Sequence, residues 1–192
     1  MNRLAKMVLG AMVAAMGFAV GISGPAHAAL ITNGSFETGD LTGWTLTGNT
    51  AFIGVECPGA PFAGPGDGNC DVFAGPVGSN GTISQSFATV VGQFYTINFD
   101  FRPDGGTPSF FSAVWDAQPA LFSVTNPAAS AYEVLTFSAL ATTPTTTLSF
   151  NFRDDPGFLF LDSVSVSVPE PGTMALLGIG IAGLWWRRRK VQ

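Results

Sequence analysis

Apolar and polar positions alternate along the middle of the chain with the two-residue period of strands that bury one face. In Phe94 to Phe101, the residues Tyr95, Ile97, Phe99 and Phe101 fall on one side, and Thr96, Asn98 and Asp100 on the other. Thr145 to Arg153 repeats the pattern, with Thr146, Leu148, Phe150 and Phe152 opposite Thr145, Thr147, Ser149, Asn151 and Arg153. Eight more segments read as strands: Thr42 to Leu46, Ala51 to Val55, Asp71 to Phe73, Thr82 to Phe87, Phe110 to Asp116, Leu121 to Thr125, Tyr132 to Phe137 and Phe158 to Ser167. Gly, Pro and Asn turns separate them, and no segment of this region has helical periodicity. Many short strands of this kind predict an all-β fold, a two-sheet antiparallel sandwich whose inner faces take up the 17 phenylalanines of the chain.

Both ends depart from that pattern. Arg3 and Lys6 precede an apolar stretch from Met7 to Ile22, and Ala26-His27-Ala28 has the small-x-small form of a signal-peptidase site. Residues 1–28 are therefore expected to be a signal peptide with a helical core, removed after Ala28. At the other end, Pro169-Glu170-Pro171 is followed by an apolar run from Met174 to Trp186 and a basic cluster, Arg187, Arg188, Arg189 and Lys190. The positive-inside rule holds that cluster in the cytoplasm, with Trp185 and Trp186 at the interface and the β domain outside. A thirteen-residue helix rises about 20 Å against a hydrocarbon core of about 30 Å. The tail is thus expected to be a short transmembrane helix that inserts transiently. One domain, residues 29–168, lies between the two ends.

Charge and composition narrow the chemistry. Residues 29–168 hold every Asp and Glu of the chain except Glu170, against Arg102 and Arg153 alone, which gives that stretch a net charge of −10. A phosphate backbone needs clustered Lys and Arg, so nucleic acid is not an expected partner. His27 is the only histidine and leaves with the signal, and the only lysines, Lys6 and Lys190, lie outside the domain. A Ser or Cys nucleophile then has no base beside it, and histidine zinc sites have no ligands. Carboxylates remain, but the adjacent Asp154 and Asp155, before Pro156-Gly157, are expected to solvate a turn rather than flank a glycosidic bond. No catalysis is expected.

The order of the three tail elements at the extreme C-terminus resembles the PEP-CTERM sorting signal of Gram-negative bacteria. That resemblance implies an exosortase-type transpeptidase that acts near Pro169, Glu170 and Pro171, and a location in the cell envelope, outer surface or extracellular matrix. Gly178, Gly180 and Gly183 spell the dinucleotide-binding G-x-G-x-x-G, but they lie within the tail's apolar run and the chain ends too soon for a βαβ unit. Small residues in a membrane helix explain them better.

A second resemblance covers nearly the whole domain. It is carried by the opening Leu30-Ile31-Thr32-Asn33-Gly34-Ser35-Phe36-Glu37 with Gly43-Trp44, the middle Gly81-Thr82-Ile83-Ser84-Gln85-Ser86-Phe87 and Gly92-Gln93-Phe94-Tyr95-Thr96-Ile97, and the closing Phe160-Leu161-Asp162-Ser163-Val164-Ser165-Val166. These segments resemble jelly-roll domains of the carbohydrate-binding-module and galactose-binding-like type. The family's closing motif usually has two consecutive acids, whereas here Ser163 takes the second place. The resemblance implies a structural calcium ion held by Glu37 and Asp162, with backbone carbonyls completing the oxygen shell. Asp67-Gly68-Asn69-Cys70-Asp71 is a rival that begins like an EF-hand loop, but Val72 stands where the glycine belongs and Gly78 where the bidentate acid belongs.

Export places Cys57 and Cys70 in an oxidising compartment, and the Gly/Pro-rich stretch between them needs a closure, so a disulfide is expected. The leading functional expectation is a non-catalytic exported surface or matrix protein. The alternative is a module that binds an extracellular polysaccharide, for which an aromatic beside hydroxyl-bonding groups is the signature. Trp115, beside Asp116 and Gln118, and Tyr132, beside Glu133, are the candidate glycan-binding residues, while Trp44 is assigned to the core.

Overall fold

The structure is a computed structural model that describes residues 29–59 and 64–169. Residues 1–28, expected to be a signal peptide, and the tail from Glu170 onward lie outside the described residues.

Ten strands form: β1 (Thr45–Gly48), β2 (Ile53–Glu56), β3 (Asp71–Ala74), β4 (Gly81–Ala88), β5 (Phe94–Pro103), β6 (Ser109–Trp115), β7 (Phe122–Thr125), β8 (Glu133–Leu140), β9 (Thr145–Asp154) and β10 (Leu159–Ser167). Each overlaps a segment read as a strand, though β1 begins at Thr45 rather than Thr42 and β8 runs on to Leu140. They make two five-stranded antiparallel sheets, ordered β1-β4-β9-β6-β7 and β2-β3-β10-β5-β8. Strands distant in sequence are neighbours, as in β4 beside β9 and β3 beside β10, which is the jelly-roll arrangement.

The alternation decides which side chains the sheets enclose. Tyr95, Ile97, Phe99 and Phe101 of β5 face Phe111, Ala113 and Trp115 of β6 and Leu148, Phe150 and Phe152 of β9, all buried. Aromatic rings bridge the sheets, with centroids 5.1 Å apart for Phe99 and Phe150 and 4.1 Å for Phe101 and Phe111. Such pairs contribute about 0.5–1.5 kcal/mol each beyond the area they bury.

The opening segment closes one side of this core. Phe36 is fully buried and lies 5.6 Å from Trp44, whose indole Nε1 donates to the Asn33 carbonyl at 3.0 Å. Asn33 in turn donates through Nδ2 to the carbonyls of Asp40 and Thr42. Gly34 is required because its backbone runs against β10: a β-carbon there would stand 1.9 Å from the Val164 carbonyl oxygen. At that place the register of β10 against β5 shifts between Asp162 and Ser165, and Ser163 has φ +52°. The bulge turns the Val164 amide outward to donate to the Gly34 carbonyl at 2.8 Å.

Candidate functional site

Paired residues on neighbouring strands share a face of the sheet, so the register defines what each outer surface presents. On the second sheet, Glu56 pairs with Asp71, and Asp162 with Asp100; Gly54 pairs with Phe73, and Phe160 with both Phe73 and Arg102. The outer face of β2, β3, β10 and β5 thus carries a carboxylate row beside an aromatic and cationic row. The Cys57–Cys70 disulfide is present, and residues 66 and 67 of the segment it closes lie against this half of the sheet, Gly66 beside Asp100 and Tyr132 and the Asp67 amide on Asp162.

Glu37 and Asp162 each accept hydrogen bonds from amides of that segment, at different residues. Glu37 Oε1 accepts from the backbone N–H of Asn69 at 2.6 Å and of Cys70 at 2.8 Å. Those two donors hold its carboxyl below the usual carboxylate range. Asp162 Oδ2 accepts from the Asp67 amide at 2.8 Å and Oδ1 from the Ser163 amide at 2.6 Å. Burial nevertheless pushes Asp162 up to about 6, with Asp71 and Asp100 adding to the rise. N–H donors therefore fill part of the shell that a cation would need, and only Glu37 Oε2, bonded at 3.4 Å to Asn69 Nδ2, keeps a loosely engaged oxygen. No group of three or more acidic, His or Cys ligands gathers among the described residues. The EF-hand-like stretch is spent in the same way: Asp67 Oδ1 accepts from the Gly68 amide, and Asp71 is buried in the sheet.

Tyr132, placed just before β8, is part of this construction. Its hydroxyl donates to Asp71 Oδ2, and its ring lies 5.4 Å beneath the Arg102 guanidinium, which also sits 3.9 Å over Phe160. Burial, and then Asp71, push the phenol pKa up. A β-carbon on Gly66 would stand 3.3 Å from the same ring, so the disulfide-closed segment packs against it. The half-buried Tyr132 is thereby a support for that segment.

Trp115 requires a correction. It is 0% exposed, in ring contact with Phe87 and Tyr95 at 5.7 and 5.6 Å, and its Nε1 donates to the Leu140 carbonyl at 3.2 Å. It cannot be an exposed platform. Gln118, read as a sugar-binding neighbour, donates to the same carbonyl at 2.9 Å. The local mixture of an aromatic with polar groups is an internal network at the end of β6.

The residue that sequence reasoning passed over is Phe94. It is 54% exposed, and alternation from the buried Tyr95 puts it on the outer face of β5. Around it the register builds two hydroxyl and amide rows, Ser167–Thr96–Ser138 and Ser165–Asn98–Thr136. Asn98 Oδ1 accepts from Thr136 Oγ1 at 2.8 Å. The signal was parity: Phe94 stands one place before the inward series and shares the side of Thr96 and Asn98. The outer face of the first sheet is also polar, but its groups satisfy one another, as in Thr82 to Asn151 at 2.7 Å and Asn151 to Ser112 at 3.0 Å.

The Asp154–Asp155 pair does not flank a cleft. Asp154 is buried, and Asp155 accepts from Arg153 in an ion pair of 2.6 Å and from the Gly78 amide at 2.7 Å.

Residues 167–190 match the PEP-CTERM protein-sorting motif. No curated protein matches the chain. Among solved structures, TmCBM61 in complex with β-1,4-galactotriose is similar with a TM-score of 0.60 and 15% identity, over 74% of this chain and 99% of that one. A xylan-binding domain from CBM 22 gives 0.54 and 14%, over 74% and 96%. The enzymatically active domain of bacteriophage CBA120 tailspike protein 4 gives 0.55 and 15%, over 73% of this chain and 21% of that one. At such identities the likeness shows the jelly-roll fold, shared by binding modules and by part of an enzyme. The sorting motif marks an exported protein, sorted at the cell envelope and processed by exosortase. No helix among the described residues is long and apolar enough to cross a membrane.

Proposed function

We propose that this is a non-catalytic protein of a Gram-negative cell surface or extracellular matrix, whose domain holds a neutral polysaccharide on the outer face of the second sheet. The observation that carries the reading is Phe94, an exposed ring beside rows of hydroxyl and amide groups. Sugar rings present C–H faces that stack on such a ring while their hydroxyls bond Asn98, Thr96, Thr136 and Ser138. Carbohydrate-binding modules among the proteins of like fold support it.

Affinity electrophoresis through a panel of neutral polysaccharides tests this. Phe94→Ala should weaken retention by about tenfold or less, the size of one stacking contact. The melting temperature should hardly change, because an exposed side chain contributes within about 0.5 kcal/mol. Equal retention of wild type and variant would remove Phe94 from the site, and no retention on any matrix would return the protein to a purely structural role.

The sorting part of the proposal predicts that the tail leaves. An epitope fused after Gln192 should vanish from the exported protein, while one inserted after Ala29 should reach the envelope or medium. A single species with both tags, detected by immunoblot, would mean that the tail is retained.

Calcium at Glu37 and Asp162 belongs to the same proposal as a further closure of the disulfide segment, through the oxygens their amide partners leave free. Added calcium should raise the melting temperature of the wild type more than that of Glu37→Ala. Equal shifts would leave the segment to its hydrogen bonds alone.

A further inference from the structure

The inward series of β9 runs Thr146, Leu148, Phe150, Phe152 and ends on a charge, Asp154. This carboxyl is 0% exposed, and neither oxygen has a hydrogen-bond partner. Its cross-strand partner Ser109 is buried as well, with Oγ equally unpartnered. Two adjacent buried groups with unmet polar atoms, at the end of an aromatic core, are costly unless something neutralises the charge.

No side-chain cation is placed to do so among the described residues. Arg153 is paired with Asp155, and Arg102 lies over Tyr132 and Phe160 on the other sheet. A second carboxylate approaches instead. Asp104, in the β5–β6 connection, is fixed by the Gly106 amide donating to Oδ1 at 2.8 Å and the Phe158 amide donating to Oδ2 at 2.6 Å.

Two glycines show where these oxygens converge. A β-carbon on Gly157 would stand 2.7 and 2.8 Å from the two Asp104 oxygens and 2.9 Å from Asp154 Oδ1. One on Gly106 would stand 2.1 Å from Asp154 Oδ1 and 2.5 Å from the Pro156 carbonyl oxygen. Only glycine lets both backbones come this close, so that oxygen from three residues, Asp104, Asp154 and Pro156, converges at one place. Hard oxygen donors, two of them charged, select a hard divalent cation, and calcium tolerates the irregular geometry that magnesium does not.

We propose that this cradle is a calcium site, with Asp154 and Asp104 supplying carboxylate oxygens, Pro156 its carbonyl, and Ser109 Oγ beside them. The site is distinct from Glu37 and Asp162 and pins the β5–β6 connection to the end of β9 and the start of β10. Burial, and then the Asp104 charge, push the Asp154 carboxyl up to about 7, so a bound cation relieves both. Exported modules of this kind bind calcium with Kd of about 10⁻⁴–10⁻³ M.

Thermal unfolding of the purified protein in 10 mM calcium chloride, against chelator, tests the site together with calorimetric titration of calcium. The expected result is a rise of about 4 °C or more in wild type, with a smaller rise in magnesium. Glu37→Ala should keep the part of the rise that belongs to this site, and Asp154→Asn should lose that part, so that the double variant Glu37→Ala with Asp154→Asn shows none. Asp154→Asn without calcium should melt no lower than wild type, because it removes a buried charge. Should that variant fail to fold, the exposed Asp104→Asn must weaken calcium binding by about tenfold or more. No calcium-dependent rise in wild type would overturn the proposal in favour of a proton shared by the two carboxyls. A rise kept in full by Asp154→Asn or Asp104→Asn would overturn it as well.

Discussion

Replacing Trp115 with alanine should destabilise the domain by about 3–5 kcal/mol, the loss typical of a large aromatic removed from a closed core. The indole is fully buried between Phe87 and Tyr95, so the cavity would lie between the two sheets, where neither can collapse without shifting the other. The lost Nε1 donor adds less, because Gln118 Nε2 still donates to the Leu140 carbonyl. Denaturant unfolding followed by circular dichroism measures the change. Polysaccharide retention by the fraction still folded should match wild type. A stability within 1 kcal/mol of wild type, with retention abolished, would restore Trp115 as a binding platform and contradict its burial.

The joint replacement Cys57→Ser with Cys70→Ser should lower stability by about 3 kcal/mol, the chain-entropy value for a loop near this length at a sequence separation of 13. More than entropy is at stake. The closed segment presents the Asn69 and Cys70 amides to Glu37 and the Asp67 amide to Asp162, and packs on Tyr132. Releasing it should uncover Asp162, which the Asp67 amide now bonds, and leave Glu37 without its two amide donors. The amides of residues 67–70 should then lose hydrogen-exchange protection well before those of β5 and β9. Unchanged protection in the double variant would mean that the carboxylates hold the segment without the bridge.

The two effects act on different structures. Trp115 belongs to the core that makes the sandwich, whereas the disulfide belongs to a cover laid over one outer face. The proposed polysaccharide surface at Phe94 occupies the uncovered part of that same sheet, beyond Asp100. Variants of the cover should therefore change stability more than retention, and Phe94→Ala the reverse.

Much of this was legible one residue at a time. The alternation in 94–101 and 145–153 named the inward faces of β5 and β9, because a strand's period of two depends only on its own backbone. The sorting tail was legible for a similar reason: its three elements are recognised by their order along the chain. Parity also held more than was read from it. Phe94 and Trp115 both look aromatic in a polar setting, yet the first is one place out of the inward series and the second is in it, after Phe111 and Ala113. Local composition misled at Trp115 because its indole N–H and its neighbour Gln118 both turn to the Leu140 carbonyl, 25 and 22 residues away.

What the sequence determined by itself was the strands, their faces, the sorting motif at the C-terminus and the absence of lysine and histidine from residues 29–168. Tertiary structure alone decided what stands opposite each face. Glu37 and Asp162 bind one segment only because its residues 67–70 pass close to both, and Asp154 meets Asp104 only because the β5–β6 connection folds over the end of β9. The physical reason is that strand periodicity is a local property of the chain, whereas the convergence of charges depends on crossovers between distant strands, which no spacing records.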